Sequence, residues 1–133
     1  MALGRHGVVA DATIELQGEL GAGKTTFVRH LLRALGVQGR IKSPTYAVLE
    51  PHVANDIVAS HFDFYRFSDP REFADAGFRD VFAAPGLKLV EWPEHVAALL
   101  PVADLRLTIT VQADDSRSVR VEAGTPRGLE LLT

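Results

Sequence analysis

Gly18-Glu19-Leu20-Gly21-Ala22-Gly23-Lys24-Thr25 is the stretch that decides the fold. Four residues separate Gly18 from the run Gly23-Lys24-Thr25, which is the spacing of a phosphate-binding loop. A polyphosphate has to lie against bare backbone N–H groups, and side chains at Gly21 and Gly23 would hold it away. Lys24 can reach the outer phosphates as a mobile point charge, and the Thr25 hydroxyl can ligate Mg²⁺. A helix beginning here aims its positive end at the same anion.

The flanks agree with that reading. Upstream, Thr13-Ile14-Glu15-Leu16 predicts a short strand. Downstream, Phe27, Val28, Leu31, Leu32 and Leu35 recur at helical spacing, with Arg29, His30 and Arg33 on the other side and Gly36 after the last apolar position. Strand, glycine loop and helix follow in the order a nucleotide-binding loop requires. Ile14 and Leu16 alternate with Thr13, Glu15 and Gln17. A central parallel strand is usually apolar on both sides, so one face of this strand is predicted to be thinly covered, or to lack a covering segment.

A chain of 133 residues predicts a single domain spanning 1–133. Its apolar fraction of 47% and charged fraction of 23% are those of an ordinary globular protein. No apolar run approaches the ~18 residues of a membrane span, and no signal peptide is visible, so a cytoplasmic location is predicted. With no cysteine there is no disulfide, CxxC pair or thiolate zinc site, and the five histidines have no metal-ligand spacing. A net charge of −3 with dispersed basic residues argues against a protein that binds nucleic acid strongly by itself. Arg29, His30 and Arg33 are more simply a solvated helix face.

Beyond Gly36, Ser43-Pro44-Thr45-Tyr46 predicts a rigid loop, either a nucleotide-sensing segment or a plain connector. Tyr46–Glu50 and Ile57–Asp63 predict strands joined by a polar link with Pro51, Asn55 and Asp56. Asp69 is predicted to cap a helix with Pro70 at its first position and Glu72 in a capping box, ending near Gly77. Phe73, Phe78, Val81 and Phe82 are predicted core. A strand from Leu87 ends in Glu91-Trp92-Pro93, and Pro93 opens a short helix that Pro101 stops. Leu105, Leu107, Ile109 and Val111 alternate with polar residues, and Val119, Val121 and Ala123 continue as an antiparallel partner. No repeat or low-complexity segment occurs. Two strands thus end in a carboxylate, and either Asp63 or Glu91 could be the metal-side acid while the other places water.

Taken in order, Leu20-Gly21-Ala22-Gly23-Lys24-Thr25-Thr26, Ser43-Pro44-Thr45-Tyr46, His61-Phe62-Asp63-Phe64-Tyr65-Arg66 and Val90-Glu91-Trp92-Pro93 resemble the TsaE (formerly YjeE) family. These are small ATPases of bacterial tRNA threonylcarbamoyladenosine (t6A) synthesis. The resemblance runs from about Ile14 to the C-terminal hairpin. It implies an α/β fold, a P-loop NTPase-like sheet flanked by helices with a C-terminal antiparallel hairpin. It also implies binding of ATP and Mg²⁺, slow hydrolysis alone, and work with a TsaB–TsaD complex that modifies tRNA adenosine 37, so that tRNA is met indirectly.

On this sequence the resemblance implies that Gly18 and Gly21 to Thr26 cradle the phosphates, with Lys24, Asp63 and Glu91 catalytic. Thr25 and Glu91 would hold Mg²⁺, and Asp63 would be the second acid near the γ-phosphate. Thr45 would belong to the sensing loop, Trp92 would pack beside the site, and Arg117 would contact the nucleotide. Family members carry a longer N-terminal segment reaching the base, of which Leu3-Gly4-Arg5 would be the remnant. Two other readings of the glycine loop are a small-molecule kinase, for which the chain has few residues to spare for an acceptor pocket and lid, and a nucleotide-gated interaction module with little hydrolysis.

Overall fold

A computed structural model describes residues 10–44, 48–54 and 57–132. Thr45 and the Leu3-Gly4-Arg5 remnant lie outside the described residues. The chain leads through strand β1 (Thr13–Gln17), the glycine loop and helix α1 (Lys24–Ala34) to strands β2 (Leu49–Ala54) and β3 (Ile57–Asp63). Helices α2 (Pro70–Asp75) and α3 (Phe78–Ala83), strand β4 (Leu87–Glu91) and 3-10 turns over Pro93–Leu99 follow. Strands β5 (Leu105–Val111) and β6 (Arg117–Ala123) and helix α4 (Pro126–Leu132) close the chain.

One six-stranded sheet runs in the order β2-β3-β4-β1-β5-β6. The four inner strands β3, β4, β1 and β5 are parallel to one another, while β2 and β6 pair antiparallel at the edges. This register puts the C-terminal ends of β1, β3 and β4 side by side: Leu16 pairs with Glu91, and Asp63 pairs with Glu91. In an open α/β sheet that edge is where a ligand binds.

The sheet separates two cores. On one side Val28, Leu31 and Leu32 of α1 pack with Ile14, Leu16, Leu89, Leu105, Leu107 and Leu131. On the other, Phe62, Phe64, Phe73, Phe78 and Val90 form an aromatic core in which the Phe62 ring stacks on Phe82 at 4.6 Å and meets Phe78 edge-on at 5.4 Å. Fully burying side chains of this size contributes about 1.5–3 kcal/mol each, enough to fix the sheet edge that carries the site. Helix α1 keeps Arg29, His30 and Arg33 exposed. It ends in a Schellman motif, with the Gly36 and Val37 N–H groups donating to Arg33 and Leu32 carbonyls at 3.0 Å each and Gly36 at φ +105°.

Several expectations need correction. The first edge strand begins at Leu49 and runs through Pro51 to Ala54, rather than ending before the proline. An edge strand has a solvent side on which the missing N–H costs nothing. A separate helix, α3, follows the left-handed Gly77 (φ +74°). The short helix expected after Pro93 is present as 3-10 turns, broken by Val96 at φ −135°. The polar face of β1 is covered after all, with Thr13 and Glu15 only 8% and 5% exposed. Arg106 reaches Glu15 at 3.3 Å, and the Pro93–Leu99 turns pack against β1, leaving a cavity of about 400 Å³ beside Glu15 and Gln17. No helix among the described residues is long and apolar enough to cross a membrane.

Candidate active site

Gly18 leaves β1 at φ +154°, Gly21 stands at +81° and Gly23 at +109°. Two different constraints act on these glycines. A Cβ on Gly18 would lie 2.7 Å from the Ile109 carbonyl oxygen, so Gly18 lets the loop cross over β5. A Cβ on Gly21 or Gly23 would meet nothing within 4 Å, because both face open space. That space is a cradle of about 260 Å³ walled by Gly21, Gly23, Thr25, Asp63, Glu91 and Trp92. Ala22 is buried under the loop and Thr26 is exposed at the rim.

Lys24 is only 5% exposed although it carries an ammonium. Its Nζ donates to the Gly18 carbonyl at 2.5 Å and sits 3.6 Å above the centre of the Trp92 ring. Burial pushes its pKa down, and the nearby carboxylates of Glu91, Glu94 and Asp63 pull it back up. Trp92 adopts the left-handed region at φ 56°, where a bulky residue is strained by about 1–3 kcal/mol. The strain turns the indole off the end of β4 and under Lys24, beside Tyr65 at 5.0 Å.

The carboxylates come from adjacent strand ends. Glu91 is 3% exposed and accepts from the Thr25 hydroxyl at 3.1 and 3.2 Å. With its one proton given to Glu91, Thr25 Oγ1 keeps its lone pairs for a cation. Asp63 accepts the Tyr65 N–H at 2.9 Å, which fixes its rotamer. Burial raises the Asp63 pKa, the Tyr65 amide opposes that shift, and the charge on Glu91 adds to it. No group of three or more His, Asp or Glu among the described residues could hold a metal alone. One hydroxyl and one carboxylate suit instead an ion such as Mg²⁺, which takes its remaining ligands from water and phosphate.

Arg117 also arrives here, from across the sheet. Its guanidinium donates to the Asp115 carbonyl at 2.7 Å and, at longer range, to those of Gly21 at 3.4 Å and Ala22 at 3.5 Å. It therefore braces the loop from outside the cradle. A second cavity, of about 560 Å³, adjoins the first across Trp92 and is lined by Gln17, Gly18, Glu19, Thr108 and Val111. Of the residues singled out in the sequence, Lys24, Thr25, Asp63, Glu91 and Trp92 converge on one cradle.

A family model described as "Threonylcarbamoyl adenosine biosynthesis protein TsaE" matches residues 2–119. The chain belongs to the TsaE family. Among its relatives is the tRNA threonylcarbamoyladenosine biosynthesis protein TsaE of Haemophilus influenzae, 39% identical over 120 residues, covering 90% of this chain and 75% of the relative. The Bacillus subtilis protein of the same description is 34% identical over 110 residues, covering 83% of this chain and 68% of the relative. The crystal structure of Bacillus subtilis YdiB superposes with a TM-score of 0.74 at 27% identity, covering 98% of this chain and 82% of that one. The mixed sheet with flanking helices is thus an α/β fold shared with a solved structure.

One site residue of this TsaE family member carries no assignment from the sequence. His61, 1% exposed, lies with Nε2 2.5 Å from Glu91 Oε2. The signal was present in the alternation of β3, which puts His61 and Asp63 on one face.

Proposed function

We propose that this chain binds ATP with Mg²⁺ and hydrolyses it as the nucleotide-using member of the system that installs threonylcarbamoyl on adenosine 37 of tRNA. It acts in the cytoplasm on a TsaB–TsaD complex, supporting repeated cycles without performing the transfer. The observation that carries the reading is the convergence of Lys24, Thr25 and Glu91 on a glycine-walled cradle at the C-terminal sheet edge. Family membership supports the pathway.

The loop amides hold the polyphosphate, and Lys24 exchanges the Gly18 carbonyl for phosphate oxygens. Thr25 and Glu91 would hold the ion, which would supply positive charge against that developing on the phosphate oxygens. Asp63, fixed by the Tyr65 amide, orients the attacking water. Arg117 is spent on loop carbonyls, which supports an arginine supplied by the partner. Such a residue contributes ~10³–10⁵-fold in other NTPases.

The test is ATP turnover and tRNA modification by the chain with and without the partner complex, for the parent and Lys24→Ala. Losing the charge-assisted contacts of Lys24 should weaken ATP binding about 10–100-fold. Turnover indifferent to Lys24→Ala, or equally fast with and without the partner, would overturn the proposal.

A further inference from the structure

We propose that His61 is a positioning residue that orients the Glu91 carboxylate for a nucleotide-bound divalent cation. The inference rests on the role given above to Glu91 and Thr25. The Thr25 hydroxyl approaches the two oxygens of Glu91 almost equally, at 3.1 and 3.2 Å, so it does not select between them. His61 does. Its Nε2 lies 2.5 Å from Oε2, leaving Oε1 as the oxygen not shared with the imidazole. A carboxylate oxygen accepts, so the ring donates from Nε2.

Nδ1 is buried and has no hydrogen-bond partner among the described residues. Burying an unmatched polar atom costs stability that a leucine at this position would not. On the face of β3 that His61 shares with the buried Ile57 and Ala59, an apolar side chain would pack without leaving a polar atom unmatched. The imidazole's hydrogen bond goes to Glu91, and partners of this kind hold ligating carboxylates in one rotamer.

The experiment is calorimetric binding of ADP and of a non-hydrolysable ATP analogue, in Mg²⁺ and in EDTA, for the parent, His61→Leu and His61→Gln. His61→Leu should lose about 10–100-fold of the affinity that Mg²⁺ confers and stay within about twofold of the parent in EDTA. His61→Gln, whose amide N–H reaches as far as Nε2, should recover most of the loss. Should His61→Leu not fold, His61→Asn serves instead, since its amide is polar but too short to reach Glu91. Equal losses with and without Mg²⁺, no loss at all, or no recovery in His61→Gln overturn the inference. A parent whose affinity gains nothing from Mg²⁺ overturns the metal role of Thr25 and Glu91 as well, which separates the two failures.

Discussion

Single residues divide the glycine loop into parts that carry the fold and parts that face open space. Gly18 crosses β5 so closely that a methyl group would press on the Ile109 carbonyl at 2.7 Å, and no flexible side chain is there to yield. Gly18→Ala should therefore destabilise the protein by about 1–3 kcal/mol, read from chemical denaturation. Gly21 has open space around it and a left-handed φ of +81°, so alanine there costs about 1–2 kcal/mol of backbone strain. Its methyl group would also project into the cradle, and nucleotide affinity should fall about 10–100-fold through displaced hydrogen bonds. The two variants thus separate by their ratio of binding loss to stability loss. Equal ratios would mean that the open side of the loop is not where the phosphates lie.

Elements differ in how much of their reason is local. Lys24, Thr25, Asp63 and Glu91 were legible because each sits in a short run whose neighbours fix it: a glycine loop, or an apolar strand ending in an acid. The His61–Glu91 contact was not, since it depends on the register between β3 and β4, thirty residues apart. Arg117 lies at the start of β6, and its bonds to the glycine loop follow from strand order. Helix α4 lies past the hairpin where the family resemblance ends, although Thr125 before a proline is a start signal. In the structure Thr125 Oγ1 accepts the Gly128 N–H at 3.1 Å and donates to Asp104, and Leu131 is fully buried. Gly128 lets this helix touch the chain before β5, where a Cβ would fall 1.8 Å from the Asp104 carbonyl oxygen. Gly128→Ala should push α4 off the core and lower Tm by about 5–10 °C. An unchanged Tm would show that α4 adds nothing to the stability of the sheet.

Across the whole molecule, the alternation in β1 is resolved by burying a charge rather than leaving a face bare. Glu15 is 5% exposed, and its Arg106 partner is half in solvent, where an ion pair contributes little. Burial wins, so the Glu15 pKa lies above its ordinary 4.5, with Arg106 opposing and the charge on Glu94 adding. The sign follows directly. Between 4.5 and the raised value the folded chain binds more protons at this site than the unfolded chain, so stability falls as pH rises through that window. Above it, Glu15 imposes its full cost; below 4.5 it imposes none. Glu15→Gln keeps the shape and removes the charge. It should raise Tm by about 1–4 °C at pH 7, with the gain shrinking to nothing below pH 4.5. A variant less stable than the parent at pH 7 would mean that the Arg106 pair outweighs burial. A gain that persists unchanged in acid would mean that it comes from packing around the 400 Å³ cavity rather than from charge.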